Sequence, residues 1–365
     1  MLNHLPTNKK VVIIGEGKIG KIIADFLISG EVQKFTAEGC LLVDDGYRKK
    51  DSYRGMRIRE LSEFVGNEKL DEFVFLNTVT SIESETYKKH LSDYGINDVV
   101  GCNDINMIME TAARYWLDYF QKNGIETTQK ELCINEFVFP NPFLQDVPKT
   151  VLHAFLTDVR DLVIPLWMED YEFCDDGPYE TEHVKVSEGD IVIDCGANIG
   201  ISTANAVARN CKKVYAIEPV MNSSLTNCKE LFGDRMEICQ VALSNYEGSA
   251  TIHINPDSCN DNSIYHVQNT LREELEIEVT TIDALCKKMG LQDIGYLKFC
   301  TDDLDGRMIA GAQETIKAYR PKIAIFPFHP DNTDAFKRKL EELIRGMDSS
   351  YIFEYAYNKM FAYTV

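Results

Sequence analysis

Nothing in the chain is spaced as C-x-x-C, although eleven cysteines occur in its 365 residues. That removes the usual zinc and redox-pair frameworks. Cys195, Cys239 and Cys300 fall inside apolar, strand-like runs and read as reduced, buried thiols rather than halves of disulfides. No apolar run is long enough to span a bilayer. The opening MLNHLPTNKK carries charge with no long apolar segment behind it, so no signal peptide is expected. Positive charge is also scarce, with 38 Lys and Arg against 58 Asp and Glu, a formal net charge of −20. Without a basic face to release counterions, nucleic acid and anionic membranes are poor partners, and the excess acid reads as a solvated surface. The expectation is a soluble, cytoplasmic protein with no membrane insertion, acting on small molecules. Nothing in the composition fixes its oligomeric state.

What the sequence does contain is two similar openings. VVIIGEGKIG (11–20) and IVIDCGANIG (191–200) each read as a buried strand feeding a glycine turn and then a helix. A chain of this length suggests two domains. The expected fold class is α/β with two Rossmann-like domains. Strands at 11–15, 40–45, 72–77 and 98–101 alternate with amphipathic stretches to form the first, residues 1–104. Residues 105–175, with two helical stretches around the Pro-rich FPNPFLQDVP, read as a helical connector. Residues 176–365 form the second, with strands at 191–195, 214–217, 236–242, 296–300, 322–328, 351–356 and 360–364. The turn at 357–359 makes the last two an antiparallel hairpin, which simple dinucleotide-binding domains lack. TIHIN (251–255) and EIEVTTID (276–283) form an excursion between the third and fourth strands.

The two turns differ at the residues a phosphate would meet. Gly15, Gly17 and Gly20 satisfy G-x-G-x-x-G, and Asp44 and Asp45 end the next strand about where a ribose-binding carboxylate belongs. Two readings stay open there: a nucleotide on the Gly backbone, or a tight strand-to-helix connection that binds nothing. The second turn fails the same test. Asn198 stands where the backbone should be bare, no glycine follows at 201, and Asp194 at the strand's end would repel phosphate. A cationic ligand would welcome that acid. Glu218, ending the strand in YAIEP, can accept both hydroxyls of a ribose. Ribose, a positive centre and no phosphate describe S-adenosyl-L-methionine.

D-x-G-A-N-x-G followed by a strand ending in E-P resembles the class I methyltransferases, and specifically the FkbM family. The likeness continues through GPYE (177–180), QVALSNYEGSATIHI (240–254), VTTIDAL (279–285), GAQETIKAYRPKIAI (311–325) and His329. It spans about residues 175–365 and implies a seven-stranded class I methyltransferase sheet. It also implies that Asp194, Gly196, Ala197, Asn198 and Gly200 cradle the methionine moiety, that Glu218 with Pro219 takes the ribose, and that Val241 and Ala242 flank the adenine. Tyr179 and Glu180 would lie near the cofactor. The implied reaction is O-methylation, with glycans or glycolipid precursors as a common acceptor class. The first domain is similar, more vaguely, to Rossmann modules of sugar metabolism.

The fourth strand departs from that family, whose members typically read K-[IA]-D-[IV]-E-G-x-E. Here the text is KFCTDDLDG (298–306), which puts Cys300 at the family aspartate, Asp302 at the first glutamate and Asp305 at the second. An alternative register matches Asp303 and Asp305 instead, at the expense of two gaps. The aspartates read either as helix caps or as carboxylates that orient or deprotonate an acceptor hydroxyl. His329 reads either as a histidine bonded to a nearby carbonyl or as the general base. Asp302, Asp303 and His329 are the catalytic candidates, and no metal is expected with Cys300 in the family carboxylate's place. Two other functions compete: a non-catalytic cofactor-binding scaffold whose fourth-strand site has drifted, and a nucleotide-dependent oxidoreductase using the first turn.

Overall fold

The computed structural model describes residues 9–15, 18–28, 40–43, 52–53, 55–79, 84–100, 116–118, 120–122, 125–134, 137–143, 151–152, 154–156, 178–255, 259, 262–264, 273–300, 306–327 and 333–365. The chain divides into two compact units, residues 1–125 and 126–365.

The first unit is built on a six-stranded sheet. Its strands are β1 (Lys10–Ile14), β2 (Cys40–Val43), β3 (Ser52–Tyr53), β4 (Met56–Glu60), β5 (Phe73–Asn77) and β6 (Val99–Val100), in the order β3-β4-β2-β1-β5-β6. All neighbours are parallel except β3 with β4. Val11 to Ile14 are buried on both faces, as a central parallel strand demands. β3 and β4 are additions to the expected strands, because MRIRE is charge-rich and only Met56 and Ile58 mark its buried face. Gly15 has φ +112°, and a Cβ on Gly20 would fall 1.9 Å from the Gly15 carbonyl oxygen. The helix Lys18–Ile28 therefore starts in direct contact with the strand's end. Gly17 and Asp44 lie outside the described residues.

The second unit holds a seven-stranded sheet. β10 (Ile191–Cys195), β11 (Lys213–Ile217), β12 (Met236–Cys239), β16 (Ile294–Phe299), β17 (Lys322–Ile325), β18 (Ile352–Ala356) and β19 (Lys359–Tyr363) run in the order β12-β11-β10-β16-β17-β19-β18. The first five are parallel and β19 is antiparallel to both of its neighbours. Tyr357 and Asn358, at φ 53° and 57°, make the two-residue turn, with both residues left-handed as a type I′ hairpin needs. Lys359 belongs to β19, so the turn is one residue shorter than the expected 357–359.

Period-two alternation splits the apolar residues between two faces. Ile193, Leu297, Ile323 and Ile325 pack under Ile316, Leu340 and Ile344 on one side. Val192, Val214, Ala216, Tyr296 and Ala324 meet Ala206, Val207, Leu225 and Cys228 on the other. The excursion is β13 (Ala242–Leu243), β14 (Gly248–Ile254) and β15 (Glu273–Thr280), a small sheet ordered β13-β15-β14.

One expectation needs correction. The span 105–175 is not helical throughout, because β7 (Glu126–Thr127), β8 (Glu131–Ile134) and β9 (Phe137–Pro140) form an antiparallel meander within it. The alternation there is short and broken between β8 and β9, which hid it. β9 packs against the helices Ile201–Ala208 and Ser223–Phe232.

Two of the motif blocks hold the fold rather than a ligand. In VTTIDAL, Thr281 caps the helix Ile282–Met289 by accepting from Ala284 N at 3.0 Å. Asp283 accepts from Glu314 N and Thr315 N at 2.9 and 2.8 Å, capping the helix Gln313–Tyr319. Gly311 admits no side chain, since its Cβ would sit 2.2 Å from the Ser244 carbonyl oxygen. Gly311→Ala is expected to destabilise the protein by about 1–3 kcal/mol through overpacking against backbone. Urea denaturation checks this, and an unchanged midpoint would refute it.

Candidate methyl-donor site

Parallel pairing puts Asp194 on β10 directly in register with Lys298 on β16, on the face that carries Val192 and Tyr296. Asp194 is 1% exposed and Lys298 4%. Lys298 Nζ lies 2.9 Å from Asp194 Oδ1, an ion pair rather than an aligned hydrogen bond. The other oxygen, Oδ2, accepts from Thr203 Oγ1 at 2.8 Å, and Lys298 also donates to the Gly196 carbonyl at 2.7 Å. Burial is the largest influence and depresses the Lys298 ammonium, but Asp194 together with Cys300 and Cys195 raises its pKa above the ordinary value overall. Asp194 thus already has a cation beside it, Lys298, which the sequence reading did not foresee.

From Asp194 the chain turns through three left-handed positions, Gly196 (φ 74°), Asn198 (φ 48°) and Gly200 (φ 92°). Asparagine tolerates that region, which explains a non-glycine residue in the middle of the turn. The loop is tied on all sides. Gly196 N and Ala197 N both donate to Ile217 O at 3.0 Å. Asn222 Nδ2 donates to Asn198 O at 2.9 Å, and Ser224 Oγ to Ile199 O at 2.9 Å. A Cβ on Gly200 would meet Cys228 Sγ at 2.7 Å, so the glycine lets the helix Ser223–Phe232 close on the loop.

Glu218 follows β11 and faces the loop, with Oε2 accepting from Asn198 N at 3.0 Å and Oε1 from Val220 N at 3.1 Å. Burial pushes its carboxyl up to about 7, against the pull of those two N–H groups and of Lys298; Asp194 raises it further. A partly buried acid poised near neutrality, with a free lone pair on each oxygen, fits a ligand that offers hydroxyls. Glu218 N donates to Cys239 O at 3.1 Å, which brings Val241 and Ala242 beside it, both buried. Pro219 accepts from Gln240 Nε2 through its carbonyl at 3.5 Å.

Tyr179 lies with its ring centroid 5.1 Å from Lys298 Nζ and 4.6 Å from Lys359 Nζ, and its carbonyl accepts from the Tyr296 hydroxyl. Glu180 is buried and taken by Asn205 Nδ2 at 2.9 Å and Arg209 Nη2 at 3.1 Å. It anchors the 178–180 segment to the helix Ile201–Ala208 and to Arg209 after it. Lys298 and Lys359 escaped the sequence reading as site residues. The available signal was a lysine inside the apolar run YLKF, which in a central strand requires a buried counter-charge.

Asp302, Asp303, Asp305 and His329 lie outside the described residues. The first described residue after them, Gly306, is the N-cap of the helix Arg307–Ala310. Cys300 follows β16, partly exposed, its N–H bonded to Cys195 O at 3.1 Å. Burial raises the thiol pKa of Cys195, Cys228, Cys239 and Cys286, as expected for inert core thiols. Among the described residues, no helix is long and apolar enough to cross a membrane.

The second unit thus has an open α/β sheet with a glycine loop after β10 and an acid after β11, at the carboxyl ends of neighbouring parallel strands. Residues 194–357 match the family described as Methyltransferase FkbM domain. Through this segment the second unit resembles that family and carries a methyltransferase domain. Solved structures with similarity include a methyltransferase FkbM from Methylobacillus flagellatus KT, 17% identical over 98% of this chain and 90% of that one, TM-score 0.40. A putative rRNA-methylase from Clostridium thermocellum is 12% identical over 48% of this chain and 86% of that one, TM-score 0.30. A Burkholderia thailandensis 1,6-didemethyltoxoflavin-N1-methyltransferase, solved with its substrate and S-adenosylhomocysteine, is 12% identical over 48% and 70%, TM-score 0.26. No curated protein matches the chain.

Proposed function

We propose that the second unit is an S-adenosyl-L-methionine-dependent O-methyltransferase acting on a hydroxyl of a sugar or glycan precursor. The observation that carries the donor assignment is Glu218: a carboxyl near neutrality, held against the 194–200 loop by two backbone N–H groups. Its remaining lone pairs suit the ribose hydroxyls, and Val241 and Ala242 beside it suit the adenine. When bound, the donor supplies an already activated methyl group. The chain's own task is to hold an acceptor oxygen in line and to remove its proton. His329 and the Asp302/Asp303 pair are the candidates for that removal.

The test is Glu218→Gln. The folded carboxyl titrates at about 7 against an ordinary 4.5, so between those values the folded state keeps a proton that the unfolded state has lost. Stability therefore falls as pH rises from 4.5 to 7 and stays lower above. The glutamine variant escapes this pH-dependent loss, so its stability should stay flat from pH 5 to 8 where wild type falls, although its NH2 group cannot accept from one of the two backbone N–H groups. It should bind S-adenosylhomocysteine about tenfold or more weakly, having lost a charged acceptor. Calorimetry at pH 8 and melting curves from pH 5 to 8 read both effects, and unchanged affinity would refute the donor assignment.

The first unit supports a second reading, a nucleotide at the turn of residues 15–20. Its sheet order reverses beside β1, and in open α/β sheets ligands bind outside the strand ends at such a reversal. Thermal shift of the whole chain with dinucleotides and nucleotide sugars tests it, and no shift with any of them leaves the turn as a connection only.

A further inference from the structure

Lys298 brings an ammonium into a strand whose neighbours in sequence, Leu297 and Phe299, are fully apolar and buried. The sheet does not require it, since an apolar side chain would sit in β16 equally well. A charge this deep persists only where its partners are all in place. Those partners come from three separate segments: the carboxylate of Asp194 on β10, the carbonyl of Gly196 in the loop, and the ring of Tyr179.

We infer that Lys298 is a positioning residue of the methyl-donor loop: its ammonium neutralises Asp194 and holds the Gly196 carbonyl, fixing the turn of residues 194–200 against Glu218. The inference rests on the donor reading of that turn. It goes beyond that reading by assigning the loop's shape and charge state to a residue that need not touch the donor.

The charged groups facing Glu218 among the described residues are Lys298 from β16 and Asp194 from β10, and they act in opposite directions, Lys298 lowering and Asp194 raising its pKa. Removing Lys298 alone leaves Asp194 unopposed, so Glu218 takes up its proton at a higher pH. Removing both charges largely cancels the change. A lysine that merely filled space would alter stability without moving the pH dependence of donor binding.

The experiment titrates full-length wild type, Lys298→Met, Asp194→Asn and the double variant with S-adenosylhomocysteine from pH 6 to 9, with melting curves beside each. Lys298→Met is expected to bind roughly tenfold or more weakly at pH 8, the loss of a charged hydrogen bond and its partner. Its acidic loss of binding should begin at a higher pH than in wild type. The double variant should regain part of the affinity and bring the acidic limb back. Equal affinity and an equal pH profile in wild type and Lys298→Met would overturn the inference, as would a double variant whose limb stays displaced. If Lys298→Met does not fold, the double variant is compared with Asp194→Asn, and equal affinity there overturns it too. Failure of wild type itself to bind at any pH would instead refute the donor reading.

Discussion

Asp194→Ala is expected to lower the stability of the protein by about 3–5 kcal/mol, the range for breaking a buried ion pair by removing one partner. The alanine leaves the Lys298 ammonium buried at 4% exposure with its counter-charge gone, and it removes the acceptor of the Thr203 hydroxyl. Asp194→Asn should be milder, because the amide oxygen can still accept from Thr203. The pH dependence follows from Lys298, whose pKa is raised above its ordinary 10.5. Its contribution is complete below that value and is lost only as pH climbs through the raised one. Because Asp194 also raises the Glu218 pKa, its loss eases the ionisation of Glu218, and the deficit of Asp194→Ala should shrink from pH 6 to pH 8, the interval over which wild type itself loses stability through Glu218. Urea unfolding at the two pH values checks this. A deficit below about 1 kcal/mol would mean that the pair is solvated in solution and does not organise the loop.

The same pair shows where the sequence was legible and where it was not. The seven strands of the second unit could be placed because each is a short apolar run bounded by turns, and burial on both faces makes such runs nearly continuous. Tyr357 and Asn358 sit in a two-residue loop, so the hairpin was readable too. Asp194 was readable as important but for an incomplete reason. Its spacing from the glycines is visible in the sequence, while its partner lies more than a hundred positions away and meets it only through the register of β10 with β16. The partners of Glu180 were hidden for the same cause, since the GPYE motif says nothing about Asn205 and Arg209, which the fold brings to it. The meander of β7 to β9 was lost because strands of two to four residues carry too little alternation to outweigh the helical stretches around them. VTTIDAL and the Gly311-Ala312 pair marked the family yet describe caps and close packing, so a motif's specificity did not disclose whether it served chemistry or fold.

His329→Ala is expected to reduce methyl transfer by about 10²–10⁴-fold, the usual worth of a general base, with donor affinity unchanged. In sequence His329 follows the end of β17 by four residues. Cys300 occupies the position at which the family carries a strand-end carboxylate, so one candidate base is missing from this chain. Asp302 and Asp303 remain the competing candidates. The two assignments differ in pH. An imidazole with an ordinary pKa of about 6.5 gives turnover an acidic limb near neutrality, while an aspartate gives one near 4 unless burial raises it. Glu218 complicates the reading, because its carboxyl at about 7 produces a limb of its own in donor binding. Saturating donor removes that second limb from single-turnover rates, and Glu218→Gln should abolish it while leaving the His329 limb in place. Rates measured with a panel of sugar and glycan acceptors across pH 5 to 9, for wild type, His329→Ala, Asp302→Asn and Glu218→Gln, therefore assign the base. An inactive Asp302→Asn beside an active His329→Ala would reverse the two roles, and a wild type that binds donor tightly yet methylates no acceptor in the panel would favour a binding scaffold over an enzyme.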